Sequence, residues 1–143
     1  LERIPDRGAI VMAVAALEIL GLTDRVAELL DQTVFVPMVG QGCVAVEHRF
    51  GDSGVRAALA AIDHAATRHA VETERAFLAV LGSGCSMPVG AHVDTSGTIT
   101  TFLADTDAPK ARSVVMQADV SDPDTARLVA AELARVSRRE LGG

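Results

Sequence analysis

The change of hydrophobic period near residue 85 constrains the fold of this 143-residue chain more than any other feature. Residues 67–82 carry apolar side chains at helical spacing, and Gly82 predicts the end of a helix. The pattern then becomes β-branched and partly alternating in three segments, at residues 87–93, 98–104 and 113–120. Turn-forming residues separate these segments, which predicts three strands in antiparallel order.

A second helical pattern follows the strands. Pro123 suits the first turn of a helix, and Asp122 and Asp124 suit its positive end. The side that faces the sheet is predicted to consist of Leu128, Val129, Leu133 and Val136. The order of helix, three strands and helix predicts an α+β fold in which a three-stranded antiparallel sheet is covered by two helices.

The patterns before residue 65 predict an incomplete α/β portion. Its predicted elements are a strand at residues 9–13, a helix at 14–20, a short helix from Thr23, extended segments at 34–36 and 43–46, and a helix from Asp52 or Ser53 to about His64. These elements form no complete sheet. The sequence also starts without Met, almost directly on an apolar run, so we expect the pairing partners to lie on chain outside it.

Composition and spacing exclude several classes of partner. Nineteen acidic and 13 basic residues give a net charge of −6, which repels nucleic acid and anionic lipid. The longest apolar stretch, residues 9–17, is shorter than the ~20 residues that span a bilayer. The four histidines lack metal-ligand spacing, and Cys43 and Cys85 are expected to be reduced thiols. We expect no nucleic acid, membrane or metal partner, and a cytoplasmic location.

Cys85 lies in a predicted loop between a helix and a strand. Gly82 and Gly84 precede it, and Pro88 and Gly90 follow it, which favours an outward-facing side chain. An inert buried thiol is about as compatible with the cysteine taken alone. The preceding helix directs its partly negative end at this loop, so any reaction of the thiol requires a strong electrophile.

Three motifs closely resemble, in order and spacing, the C-terminal half of the porphobilinogen deaminase (hydroxymethylbilane synthase) family. They are VPMVGQGCVAVEHR at residues 36–49, TERAFL at 73–78 and GCSMPVG at 84–90. The segment AIVMAVAALEILG at 9–21 fits the part of the family that precedes the Gly-Gln-Gly turn. The resemblance implies that residues 1–36 end the family's second domain, 37–64 return to its first domain and 65–143 form its third, cofactor-binding domain.

The resemblance implies a transferase of tetrapyrrole (heme) biosynthesis. Such an enzyme joins four porphobilinogens head to tail into hydroxymethylbilane, with release of ammonia, on a dipyrromethane primer. The family holds this primer as a thioether on the cysteine of the third motif, which is Cys85 here. Ser83 and Gly84, next to the thiol, are then part of the cofactor site.

By the same resemblance, Gln41 with Gly40 and Gly42 stands where the family lines its cleft with an amide and backbone N–H groups beside the pyrrole carboxylates. A tight turn that needs positive φ explains the glycines equally well. Glu74 and Arg75 match the family's Glu-Arg-Ala signature. A helical segment ~15 Å long separates Arg75 from the primer cysteine, and this distance favours a structural ion pair of Arg75 over a contact with the substrate.

Departures from the family leave the function open. Ile19 stands at a usually basic position and Ala16 at a usual Gly, while Ser83 and Cys43 replace a common Gly and Ala. The family's catalytic Asp and most of its carboxylate-binding Arg residues belong to the N-terminal half. We therefore expect no catalytic residue here, no activity of the isolated chain, and three partners: an N-terminal half on the same or a separate chain, porphobilinogen and the growing polypyrrole. The alternatives are a non-catalytic cofactor-holding or structural remnant and, less favoured, a thiol-dependent hydrolase, for which no His or Asp is placed to activate Cys85.

Overall fold

The computed structural model describes residues 8–82, 87–106 and 110–142 and has the α+β fold that the sequence predicts. The chain divides into two compact units, Leu1–Leu30 and Asp31–Gly143. The three-stranded sheet and the two longest helices belong to the second unit.

The first unit contains helix α1 (Val14–Ile19) and a short 3₁₀ helix (Thr23–Arg25). The second unit begins its regular structure with helix α2 (Ser53–Leu59), which is capped by Asp52 as the sequence predicts, because the Asp52 carboxylate accepts the Val55 N–H at 3.0 Å. The remaining elements are α3 (Ala65–Leu81), β1 (Val89–Val93), β2 (Thr98–Asp105), β3 (Arg112–Asp119) and α4 (Ala126–Leu141).

The sheet has the order β1-β2-β3, with both pairs antiparallel. The register places Thr101 of the central strand between Ala91 and Met116. The β1–β2 hairpin turns at Gly97, whose φ of +84° lies in the left-handed region that glycine adopts without strain. Hydrogen bonds that the Asp94 carboxylate accepts within this turn, first of all from the Ser96 hydroxyl, lower the pKa of Asp94.

One face of the sheet is covered by α3 and α4. Helix α3 packs against β1 and α4, while α4 also packs against β2 and β3. Helical spacing puts Phe77 and Leu81 on the inner side of α3, and both are fully buried. The apolar core consists of Phe77, Leu81, Ala91, Val93, Ile99, Leu103, Val120, Ala126, Ala130, Leu133 and Ala134.

The inner side of α4 differs from the prediction. Leu128 was expected to face the sheet but is 71% exposed, so this part of the prediction is wrong. The buried residues of α4 are mostly small: Ala126, Ala130, Leu133, Ala134 and Ser137. Small side chains let a helix approach its neighbours closely, so burial on this helix follows size as well as hydrophobicity.

The portion before residue 65 contains none of the predicted strands among its described residues, 8–64. The segments 9–13, 34–36 and 43–46 were predicted as extended strands, but none of them pairs with a described strand. A strand needs hydrogen-bonded neighbours to be stable, and the described residues supply no strand ladder for these segments, only a single bond from the Ala91 N–H to the Pro37 carbonyl just after residue 36. The helix expected to reach about His64 ends at Leu59, and the His64 imidazole instead caps α3 by accepting the Thr67 N–H.

Large apolar side chains of residues 31–64 are exposed. The most exposed ones are Val34, Phe35, Met38, Val44, Val46, Phe50 and Ile62. An apolar surface of this kind is typical of a segment that is covered by another part of a protein. In the described part of the chain, no helix is long and apolar enough to cross a bilayer.

Candidate functional site

The predicted primer residue Cys85, together with Ser83 and Gly84, lies outside the described residues. The structure describes both ends of the segment that carries them. Helix α3 ends where Gly82 adopts a left-handed φ of +62°, which confirms the predicted stop signal. The Leu81 carbonyl accepts a hydrogen bond from the Arg138 guanidinium of α4, so the last turn of α3 is tied to its neighbouring helix.

The far end of the same segment is held by the sheet. The Pro88 carbonyl accepts the Ala104 N–H at 3.0 Å, which extends the β1–β2 pairing by one hydrogen bond. Met87 packs against the apolar core. The described residues on both sides of Cys85 are therefore anchored, on α3 and on the sheet.

The Gly40-Gln41-Gly42 segment forms a tight double turn. The Gln41 N–H donates to the Met38 carbonyl at 3.0 Å, and the Cys43 N–H donates to the Gly40 carbonyl at 3.1 Å. Gly40 has a φ of +75°, so the expected need for positive φ is met at this glycine and not at Gly42. The Gln41 side chain is exposed, and neither it nor the Gly42 N–H bonds to another described residue.

The segment before this turn lies against the outer edge of β1. The Ala91 N–H donates to the Pro37 carbonyl at 3.0 Å. Gly90 is buried, and a Cβ atom there would lie 2.6 Å from the Val36 carbonyl oxygen and 2.9 Å from that of Pro37. The lack of a side chain at Gly90 therefore permits residues 36–40 to approach the strand that follows Cys85.

Glu74 connects the turn to the same strand. Its side chain is 6% exposed, Oε2 accepts the Gly40 N–H at 2.7 Å, and Oε1 accepts the Val93 N–H at 3.0 Å. The imidazole of His92 lies 3.8 Å from Oε1. Burial of a carboxylate is unfavourable unless its oxygens accept hydrogen bonds, and both oxygens do so here.

The sequence motif contained Glu74, but its role was not predicted. Glu74, Phe77 and Leu81 recur at helical spacing, a signal that would have placed the carboxylate on the buried side of α3. Arg75 was expected to form a structural ion pair. It is exposed and forms no ion pair with any residue in the described ranges, so the ion pair stays a prediction.

Two further groups that could carry chemistry are His69 and Cys43. His69 hydrogen-bonds to the Val120 carbonyl through Nε2 at 2.9 Å, and Cys43 is a partly buried free thiol. No group of three or more His, Cys, Asp or Glu residues that could hold a metal ion occurs within the described residues.

Replacing Gly90 with alanine is expected to lower the free energy of unfolding by about 1–3 kcal/mol, because the new methyl group meets backbone carbonyls that cannot rotate away. Chemical denaturation of the purified chain measures this loss. Gly54→Ala is the matched control, since its nearest contact, Asp52 Oδ1, is an ordinary 3.7 Å away. Equal stability of the two variants would contradict the close approach at Gly90.

Comparison with known proteins assigns both parts of the chain to one family. Two family models match: "Porphobilinogen deaminase, dipyromethane cofactor binding domain" over residues 2–57, and "Porphobilinogen deaminase, C-terminal domain" over residues 69–136. The porphobilinogen deaminase of Geobacter sulfurreducens is 35% identical over 127 residues, which are 87% of this chain and 40% of that protein. The chain belongs to the porphobilinogen deaminase family.

Other relatives match a shorter part of the chain at higher identity. The porphobilinogen deaminase of Mycobacterium leprae is 55% identical over 60% of this chain, and that of Roseiflexus castenholzii is 52% identical over 58%. The chain spans between 27% and 40% of the length of these three relatives.

The residues of the candidate site are distributed over the two matched regions of the chain. The Gly40–Gly42 turn lies in the match whose description names a dipyrromethane cofactor, which supports the predicted cofactor. Cys85 and Glu74 lie in the match to the C-terminal domain. Glu74 thus joins the two matched regions by its hydrogen bond to Gly40. The assignment of the covalent link to Cys85 remains a prediction.

Proposed function

We propose that this chain is the C-terminal portion of a hydroxymethylbilane synthase, which polymerises four porphobilinogens, with release of ammonia, on a dipyrromethane primer attached to Cys85. The observation that carries the proposal, given the family, is that the Glu74 carboxylate accepts hydrogen bonds both from Gly40 of the turn and from Val93 of β1, the strand that follows Cys85 in the sequence. A carboxylate-binding turn and a tether on one scaffold are what a polymerising enzyme of this kind requires.

Cys85 supplies the tether. Its sulfur forms a bond to the aminomethyl carbon of a pyrrole, the carbon–nitrogen bond breaks, and the thiol proton leaves with the amine as ammonia. A thioether exchanges far less readily than a disulfide or a thioester, which suits an attachment that must survive several rounds of elongation. A bound dipyrromethane supplies the pyrrole carbon to which each new unit is joined.

The turn supplies hydrogen-bond donors. The Gln41 side-chain amide and the Gly42 N–H are the two donors of this turn that bond to no other described residue. An exposed turn with free N–H groups suits a carboxylate, and each porphobilinogen carries two. In our proposal, the Gln41 side-chain amide and the Gly42 N–H bind a pyrrole carboxylate of the primer or substrate, and Gly40 contributes the positive φ that shapes the turn.

The rest of the active site lies on the N-terminal half of the enzyme. A primer of two units and four added units carries about twelve carboxylates, whose binding requires a concentrated group of arginines. Arg75 is the nearest exposed arginine in sequence to Cys85, and one side chain cannot balance that charge. The exposed Val44, Val46 and Phe50 support a docking of this half against the remainder.

A chimera tests the proposal. In this chimera, the present chain replaces the C-terminal part of the Geobacter sulfurreducens relative and is fused to the N-terminal part of that relative. The chimera is expected to consume porphobilinogen and to release one ammonia for each porphobilinogen that it adds. This chain alone is expected to consume none, because it lacks the catalytic half. A folded chimera that makes no hydroxymethylbilane would contradict the transferase and favour the non-catalytic remnant. The cytoplasmic location and the division into residues 1–36, 37–64 and 65–143 remain predictions.

A further inference from the structure

We infer that Glu74 is a positioning residue: its carboxylate fixes the Gly40–Gly42 turn on the edge of β1 and thereby forms the carboxylate-binding subsite. The inference rests on the proposed function for the ligand of that subsite. It adds a residue that neither binds the ligand nor reacts, and that acts by holding the turn.

The edge of β1 needs two acceptors. Pro88 pairs with Ala104 and Asp94 with Thr98 through backbone hydrogen bonds, so the N–H groups of Ala91 and Val93 point away from β2. The Pro37 carbonyl accepts the first of these N–H groups at 3.0 Å. Oε1 of Glu74 accepts the second, also at 3.0 Å, in the place where a further strand would offer a carbonyl.

The other oxygen of Glu74 determines where the turn lies. Oε2 accepts the Gly40 N–H at 2.7 Å, the shorter of the two bonds. The next N–H, from Gln41, is used inside the turn, and the Gly42 N–H, which bonds to no described residue, is the one that we assign to a ligand. One buried carboxylate therefore holds the first N–H of the turn and one N–H of the strand at a fixed separation.

Only a carboxylate of this length suits both bonds. Glutamine has one acceptor oxygen and an NH₂ group, which would face one of the two N–H donors. Aspartate is one methylene shorter and cannot reach both from the same helix position. Glu74→Gln is therefore expected to leave one backbone N–H unsatisfied while it changes the side-chain volume very little.

An electrostatic role and a positioning role of Glu74 predict opposite effects of Glu74→Gln on the affinity for an anionic ligand. The negative charge of Glu74 lies close to the turn and opposes the binding of an anionic ligand, so a purely electrostatic role predicts tighter binding in the variant. A positioning role predicts weaker binding, because the turn is no longer held. A role in stability alone predicts no change in the affinity of the folded protein.

The test is the affinity of the full chain for porphobilinogen, followed by NMR of the Gly42 amide and the Gln41 side chain. Glu74→Gln is expected to bind about tenfold more weakly than the parent chain. Glu72→Gln, at an exposed glutamate two residues earlier on α3 with surface ion pairs to Arg68 and Arg127, is the matched control and is expected to bind unchanged. Unchanged or tighter binding in Glu74→Gln overturns the inference.

Amide hydrogen exchange separates this inference from the proposed function. In Glu74→Gln the Gly40 and Val93 amides are expected to exchange at least about tenfold faster, with the Ile99 and Leu103 amides of β2 unchanged. If the parent chain binds no porphobilinogen, the subsite fails together with that part of the proposed function, while faster exchange still supports Glu74 as the residue that holds the turn. If Glu74→Gln does not fold, NMR of the parent chain provides the test instead. A scalar coupling across each hydrogen bond is expected between the Glu74 carboxylate carbon and the amide nitrogens of Gly40 and Val93. The absence of these couplings overturns the inference.

Discussion

Cys85→Ser is expected to abolish covalent attachment of the primer and to reduce porphobilinogen consumption by the chimera to background. A serine hydroxyl is a much weaker nucleophile than a thiol, and the negative end of α3 offers no help in activating it. Intact-mass spectrometry measures the attachment. The parent chimera should carry an added dipyrromethane, and the variant should have only the mass of its polypeptide.

Cys43→Ser is the matched control, because Cys43 is the other cysteine of the chain and a free thiol next to the Gly40–Gly42 turn. It is expected to keep both the added mass and the turnover. Loss of the adduct in Cys43→Ser and its retention in Cys85→Ser would show that the primer is attached to Cys43 instead. An adduct retained in both variants would contradict Cys85 as the required site of attachment.

The part of the fold that follows residue 65 could be predicted because each of its elements has a local signal and its partners lie within the same segment. The predicted helix stop at Gly82 and the three predicted strands are confirmed, and each strand pairs with the strand next to it in the sequence. The same local signals at residues 9–13 and 43–46 predicted strands that are absent from the described residues. Strand propensity acts only where a neighbouring strand is present.

The candidate site could be predicted only in part, for a similar reason. Motifs located the turn and the cysteine loop, but the contact between the turn and the strand depends on tertiary structure. Glu74 bonds to residues 34 positions before and 19 positions after it, so no local pattern indicates its partners. Arg75, its neighbour, has the more conspicuous charge and makes no ion pair with a described residue.

Helix α4 shows where hydrophobicity alone misleads. Leu128 and Leu133 were both predicted on the inner side, but they differ by five positions, which is about 140° around a helix axis. Leu133 is 8% exposed and Leu128 is 71% exposed. The alanines at 126, 130 and 134, at a spacing of four, mark the buried side more reliably than the leucines do.

This difference gives a matched pair of substitutions on one helix. Leu133→Ala is expected to lower the free energy of unfolding by about 2–5 kcal/mol, because it leaves a cavity where α4 packs on α3 and the sheet. Leu128→Ala is expected to change it by less than about 0.5 kcal/mol, because the side chain is in solvent in both states. Urea denaturation measures both values. A larger loss for Leu128→Ala would require α4 to be turned by about 140° about its axis, with Ala130 and Ala134 then in solvent.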